Sequence, residues 1–298
     1  MNLDIEKGRK FRVAGYDLIQ RLGTGARSAI WEAREKSTGR TVALKRTFKH
    51  HGDDNRYFEQ AINEYEIGSR LQHSSIRRVY SLQKIRALFS IRELHTFLEL
   101  CRGETLEKRR PETFLEACHI FLQIAEAMHE MNTRGYVHAD MKPENIVVDE
   151  KGHPRIIDLG LSCPIGVAKA RIQGTPDYMA PEQLIKWPLD ARTDVYNFGA
   201  TLYWVLTGEA PPTVIPHQER SLSRGQKVAV PAHVLNPRVP QQLSRLVSDC
   251  IHIEPSARLG GMDAVASRLQ TAIRDLENDP ARGKQEILDP AAAEAAEA

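Results

Sequence analysis

One short stretch gathers several residue types that could move a charged group: Tyr136-Val137-His138-Ala139-Asp140-Met141-Lys142-Pro143-Glu144-Asn145. It follows a long amphipathic run and precedes the apolar triplet Ile146-Val147-Val148, after which comes Ile156-Ile157-Asp158-Leu159-Gly160. Together they offer a carboxylate for an attacking hydroxyl, a nearby cation, and an Asn plus an Asp as hard oxygen ligands for a divalent metal. Phosphoryl transfer needs that inventory, because its work is positioning, charge neutralisation and Mg2+.

Two stretches upstream fit the same chemistry. Gly23-Thr24-Gly25-Ala26-Arg27-Ser28 lies between two strand-like runs. Glycines there let backbone N–H groups approach phosphate oxygens with no Cβ in the way. Alone, the stretch is a weak signal and reads first as a Gly-containing hairpin turn. A dinucleotide-binding turn would need a helix straight after it, and the residues after Ser28 look like a strand. Val42-Ala43-Leu44-Lys45 falls on a third strand, where alternation puts Ala43 and Lys45 on one face and Val42 and Leu44 on the other. Lys45 could neutralise phosphates if a carboxylate held it, and Glu64 on the following helix is the candidate. Taken singly, each of the two also reads as a solvated charge.

The elements that must position these residues change character along the chain. Tyr16 to Leu22, Ala29 to Arg34 and Thr41 to Thr47 read as strands, with a turn at Ser37-Thr38-Gly39. Phe58, Ala61, Ile62, Tyr65 and Leu71 form a helical stripe, and strands are expected near Val79 to Gln83 and Leu94 to Leu100. After Gly103 the period turns helical: Leu115, Cys118, Leu122, Ala125 and Met128; Leu243, Leu246, Val247 and Cys250; Met262, Val265, Leu269, Ile273 and Leu276. A small strand-rich lobe therefore precedes a larger helical one, an α+β arrangement.

Composition narrows the class. With 298 residues, the chain has room for one large two-lobed domain or two ordinary ones. A net charge of +2 gives no electrostatic case for nucleic acid or a membrane surface as main partner. Cys101, Cys118, Cys163 and Cys250 are widely spaced, so neither a zinc site nor a disulfide framework is expected, and a reducing, cytoplasmic compartment fits. Met1 to Arg12 lacks an apolar signal-peptide core, and no apolar run is long enough for a membrane span. His50 and His51 read as solvated.

The ordered set resembles the catalytic domain of eukaryotic-type serine/threonine protein kinases over roughly residues 15–278. The shared features are the glycine stretch, Val42-Ala43-Leu44-Lys45, Glu64, His138-x-Asp140-x-Lys142-x-x-Asn145, Asp158-Leu159-Gly160 and Ala180-Pro181-Glu182. The resemblance implies a bilobal fold: an antiparallel-sheet N-lobe with one helix at 15–98, a hinge at 99–103 and a helical C-lobe at 104–278. An N-terminal extension at 1–14 and an Ala/Glu-rich tail at 279–298, frayed or disordered, would flank it. It implies ATP and Mg2+ as cofactors and a protein substrate, and it allows for a regulatory partner protein.

Residue roles follow the same way. Asp140 would be the catalytic base, Lys142 would stabilise the transferring phosphoryl group, and Asn145 and Asp158 would hold Mg2+. Lys45, paired with Glu64, would hold the α- and β-phosphates. Leu22, Gly23, Thr24, Gly25, Ala26, Arg27, Ser28, Ile30 and Ala43 would line the nucleotide, with Leu98 as gatekeeper and Glu99, Leu100 and Cys101 as the hinge that meets adenine. Thr175 would help build the substrate platform, Asp194 would bond the catalytic-loop backbone, and Arg258 would pair with Glu182. Lys142 two residues after the base, together with Gly174-Thr175-Pro176-Asp177-Tyr178-Met179-Ala180-Pro181-Glu182, resembles serine/threonine rather than tyrosine kinases.

Three positions depart from the pattern. Ser28 replaces a glycine and Leu159 a phenylalanine, and neither change removes a catalytic group. Ala139 replaces the arginine that pairs with a phosphorylated activation loop. Between Asp158 and Glu182 the hydroxyl residues are Ser162, Thr175 and Tyr178. Phosphorylation there is therefore not expected to be the main switch, unless another basic residue such as Arg171 substitutes. The competing reading is a nucleotide-binding pseudokinase that acts as a signalling scaffold.

Overall fold

The computed structural model describes residues 11–25, 27–49, 55–88, 90–213 and 229–287. Ala26, His50, His51 and the outer parts of both expected flanking segments lie outside the described residues. The chain divides into two compact units. One comprises the residues up to Gln72, Ile76–Arg102 and Asp158–Gly160; the other comprises His73–Ser75, Gly103–Ile157 and the residues from Leu161 on.

The described residues of the first unit form an antiparallel five-stranded sheet and one helix, α1 (Arg56–Gly68). The strands are β1 (Tyr16–Gly25), β2 (Ser28–Glu35), β3 (Thr41–Phe48), β4 (Val79–Ala87) and β5 (Ser90–Glu99), in the order β1-β2-β3-β5-β4. Alternation along β3 builds two layers. Val42 and Leu44 join Val13, Ala33 and Phe97 on one face, where Phe11, Tyr16 and Trp31 cover them. Ala43 joins Val79 and Leu98 on the other, packed by Ile30, Tyr65 of α1 and Leu100. Helix α1 approaches β4 closely at Gly68, where an added Cβ would lie 2.3 Å from Val79 Cγ2.

Chain order would assign Asp158-Leu159-Gly160 to the helical half, yet the segment packs with the sheet unit. Leu159 is buried near Gly68, and Asn63 Nδ2 of α1 donates to the carbonyls of Leu159 (3.4 Å) and Gly160 (3.1 Å).

The second unit is mainly helical. Its helices are α2 (Phe114–Thr133), α3 (Pro181–Leu184), α4 (Ala191–Thr207), α5 (Ala232–Leu235), α6 (Gln241–Cys250), α7 (Met262–Asn278) and α8 (Pro280–Gly283). Short strands add β6 (Glu104–Thr105), β8 (Ile146–Val148) and β9 (Pro154–Ile156) in one ladder, and β7 (Tyr136–Val137) with β10 (Cys163–Pro164) in another. Thr113 caps α2 by accepting from Glu116 N at 3.2 Å, and Asp190 caps α4 by accepting from Arg192 N at 2.8 Å. Helix α4 is buried on nearly every side, as a central helix must be. It stops at Gly208, whose φ of +79° suits a left-handed C-terminal cap.

The start of the expected tail is ordered: Ile287 N donates to Glu112 O at 2.8 Å, next to a bridge between Thr113 and Glu286. Cys101, Cys118, Cys163 and Cys250 form no disulfide. Among the described residues, no helix is long and apolar enough to cross a membrane.

Candidate active site

In the first unit, Lys45 reaches Glu64 of α1, with Nζ 2.7 Å from Oε2. Asp158 Oδ2 stands 3.7 Å from the same ammonium. Burial pushes the Lys45 pKa down, but Asp158 and Glu64 more than reverse this, so the value is raised and Lys45 stays charged. Asp158 Oδ1 accepts from Gly160 N at 2.8 Å, and its side chain remains 40% exposed.

The other residues expected around the nucleotide share this unit. Gly23, Gly25 and Ser28 close the β1–β2 hairpin, with Gly25 opposite Ser28. A Cβ on Gly25 would sit 2.7 Å from Ser28 Oγ, so a side chain there would make the serine hydroxyl move. Leu22 and Thr24 are exposed, and Arg27 is half-buried. Ile30 packs on Ala43 and Leu98. At the end of β5, Glu99 is tied to Arg78: its N–H donates to Arg78 O at 2.9 Å and its carboxylate accepts from Arg78 N at 3.1 Å. Cys101 is half-buried, its thiol 3.9 Å from Glu99 O.

In the second unit the loop after β7 carries Asp140, Lys142 and Asn145. Buried Asp194 of α4 accepts from the N–H groups of His138 and Ala139, both at 3.0 Å, and from Asn132 Nδ2 at 2.8 Å. Its burial pushes its pKa up to about 6 against these donors. The two backbone bonds hold Ala139 at φ +60°, a strained, left-handed conformation for a residue with a Cβ. Gln183 Nε2 bonds Ala139 O at 2.9 Å, and Thr201 Oγ1 bonds Met141 O at 3.2 Å. The loop is thus anchored at several backbone groups.

On this scaffold, Asn145 Nδ2 donates to Asp140 O at 2.7 Å and to Asp140 Oδ2 at 3.1 Å. Because Asn145 spends its amide nitrogen on Asp140, its Oδ1 is left as an oxygen donor. The Asn145 amide oxygen and, in the first unit, the Asp158 carboxylate are each a hard oxygen of the kind Mg2+ takes. Lys142 Nζ bonds Thr175 Oγ1 at 2.7 Å. The preceding residue, Gly174, has φ +130°, and a Cβ on it would lie 3.3 Å from Asp140 Oδ1. Only glycine lets this backbone run so close to the carboxylate.

Two residues near these constellations carried no clear sequence signal. Arg77 donates to Glu64 Oε1 at 2.8 Å; its one hint was charge at a strand entry between apolar Ile76 and Val79. Lys169 donates its ammonium to Leu161 O. Burial lowers its pKa, opposed by Cys163, Asp140 and Asp194. Lys169 thus lies within electrostatic reach of Asp140. Ala139 itself is fully buried and packs with Val137, Cys163 and Leu189.

A family model described as protein kinase domain matches residues 16–269. A probable serine/threonine-protein kinase of Clostridium acetobutylicum is 26% identical over 93% of this chain and 42% of its own length. A DNA damage-responsive serine/threonine-protein kinase of Deinococcus radiodurans is 30% identical over 90% of this chain and 41% of its own. A probable myosin light chain kinase of Dictyostelium discoideum is 34% identical over 68% of this chain and 53% of its own. The chain thus spans less than two thirds of the length of these relatives.

Proposed function

The chain belongs to the protein kinase domain family, and on that premise we propose that it is an active serine/threonine kinase that transfers the γ-phosphoryl group of ATP to protein hydroxyls. The observation that carries this reading is the Asp140 constellation. A carboxylate oriented by Asn145 lies against Gly174, and the next residue, Thr175, holds the ammonium of Lys142.

In this reading Asp140 orients the acceptor hydroxyl and takes its proton, and Lys142 stabilises charge on the transferring group. Thr175 fixes Lys142 and contributes to the platform on which the substrate chain rests. Lys45, kept extended by Glu64, holds the α- and β-phosphates beneath the Gly23–Ser28 hairpin. Glu99, Leu100 and Cys101 meet the adenine. Asn145 and Asp158 hold Mg2+, which when bound neutralises phosphate charge. The serine/threonine relatives support the choice of acceptor.

Phosphorylation of the segment from Asp158 to Glu182 is not the switch in this account. Ser162 is only 4% exposed, and the Thr175 hydroxyl is engaged by Lys142. Ala139 brings no charge to meet a phosphate and packs among Val137, Cys163 and Leu189.

The test is incubation of the chain with Mg2+, ATP and a generic acceptor protein, with phosphate counted by intact-mass spectrometry. Phosphate on Ser or Thr is expected, and Asp140→Asn should lower the rate by roughly 10²–10⁴ while leaving the fold intact. ATP binding without transfer would overturn the proposal in favour of a nucleotide-binding scaffold.

A further inference from the structure

Glu64 is 1% exposed, and each of its oxygens is taken by a different cation. Oε2 receives Lys45 at 2.7 Å and Oε1 receives Arg77 at 2.8 Å. The phosphate-binding role uses only the first contact. Arg77 is itself 9% exposed, and burying a guanidinium is unfavourable unless a carboxylate meets it.

The backbone around Arg77 belongs to the sheet rather than to α1. Its neighbour Arg78 is bonded to Glu99 of β5 through both N–H and carbonyl, and Ile76 beside it is buried. Arg77 therefore ties α1 to the sheet at Glu64 without involving Lys45. If Lys45 turns toward phosphates, or toward Asp158 at 3.7 Å, Glu64 keeps a partner and has no reason to leave.

We propose that Arg77 is a positioning residue for phosphoryl transfer: it clamps Glu64 from the sheet, so that Lys45 meets a carboxylate already in place. The orientation of α1 is then built into the first unit instead of awaiting a regulatory partner. This rests on the reading of Lys45 as the phosphate-binding lysine.

The experiment compares initial rates and Mg·ATP binding for wild type, Arg77→Leu, Arg77→Lys, Glu64→Gln and the Arg77→Leu/Glu64→Gln double variant. Arg77→Leu should lower kcat/KM for ATP on the order of 10- to 100-fold, the worth of a hydrogen bond to a charged group. Arg77→Lys should recover part of the loss. In the Glu64→Gln background, Arg77→Leu should cost less than about twofold, because its partner charge is gone. Should Arg77→Leu be unfolded by circular dichroism at the assay temperature, Arg77→Gln takes its place with the same expectations. An unchanged kcat/KM in the folded variant, or an equal loss in the Glu64→Gln background, would overturn the inference. Absence of ATP binding in wild type would instead strike the functional reading, and is seen before any variant is compared.

Discussion

Each unit buries a glutamate among cations, and the two are finished differently. Glu182, in the helical unit, is met by Arg258 through two parallel bonds of 2.7 and 2.8 Å. Arg258 also donates to the carbonyls of His252, Arg192 and Ile253, and it lies over the Tyr196 ring. Thr193 Oγ1 donates to Glu182 at 2.9 Å, and the pair is sealed at 0% and 5% exposure. Glu64, in the sheet unit, is equally buried, but its partner Lys45 keeps 17% exposure and a second carboxylate within 3.7 Å. A sealed pair returns all of its charge to the fold. A pair with one accessible cation holds that cation in place while leaving it able to meet a ligand.

The difference can be broken by crossed substitutions. Lys45→Met should lower phosphoryl transfer on the order of 10²–10³, the usual loss of one preorganised charged donor. It should change unfolding in urea little, because Glu64 retains Arg77. Arg258→Met should do the reverse in kind, costing about 3–5 kcal/mol of stability by stranding Glu182. A Lys45 variant that lost as much stability as the Arg258 variant would erase the distinction.

A third cluster sharpens it through pH. Burial would raise the Glu93 pKa, but hydrogen bonds from Arg46 and His95 take it down to about 2. A folded-state value below the ordinary 4.5 means that this carboxylate stabilises the fold above about pH 4.5, and that the contribution is lost as pH falls toward 2. Glu93→Gln should flatten the acid side of a plot of Tm against pH. The smallest effect is expected from Ser162→Ala, which should leave activity unchanged, with no phosphate found at Ser162 by peptide mapping. Abolished activity would reinstate a switch in that segment.

Much of this was legible in the chain because the signals are local. Alternation along Val42 to Lys45 alone puts Ala43 and Lys45 on one face, and β3 keeps that alternation. The strand runs were read short at their ends: β1 continues past Leu22 to Gly25, because the glycine hairpin itself pairs with β2. Arg77 was invisible as a partner of Glu64, since nothing in residue order brings a strand-entry arginine to a helix. Lys169 carried no signal of its own, since residue order does not show that burial and the Asp140 and Asp194 carboxylates bear on it.

By itself the amino-acid order determined the two-part layout and the positions of Asp140, Lys142, Asn145, Lys45, Glu64 and Asp158. Each of these rests on residue types at short spacing, and spacing is a covalent property. Tertiary structure alone decided that Asp158-Leu159-Gly160 packs with the sheet, that Ala139 is enclosed, and that Glu64 has two cations. Those outcomes depend on which distant side chains share a buried volume, and residues far apart in the chain are brought together there only by the packed fold.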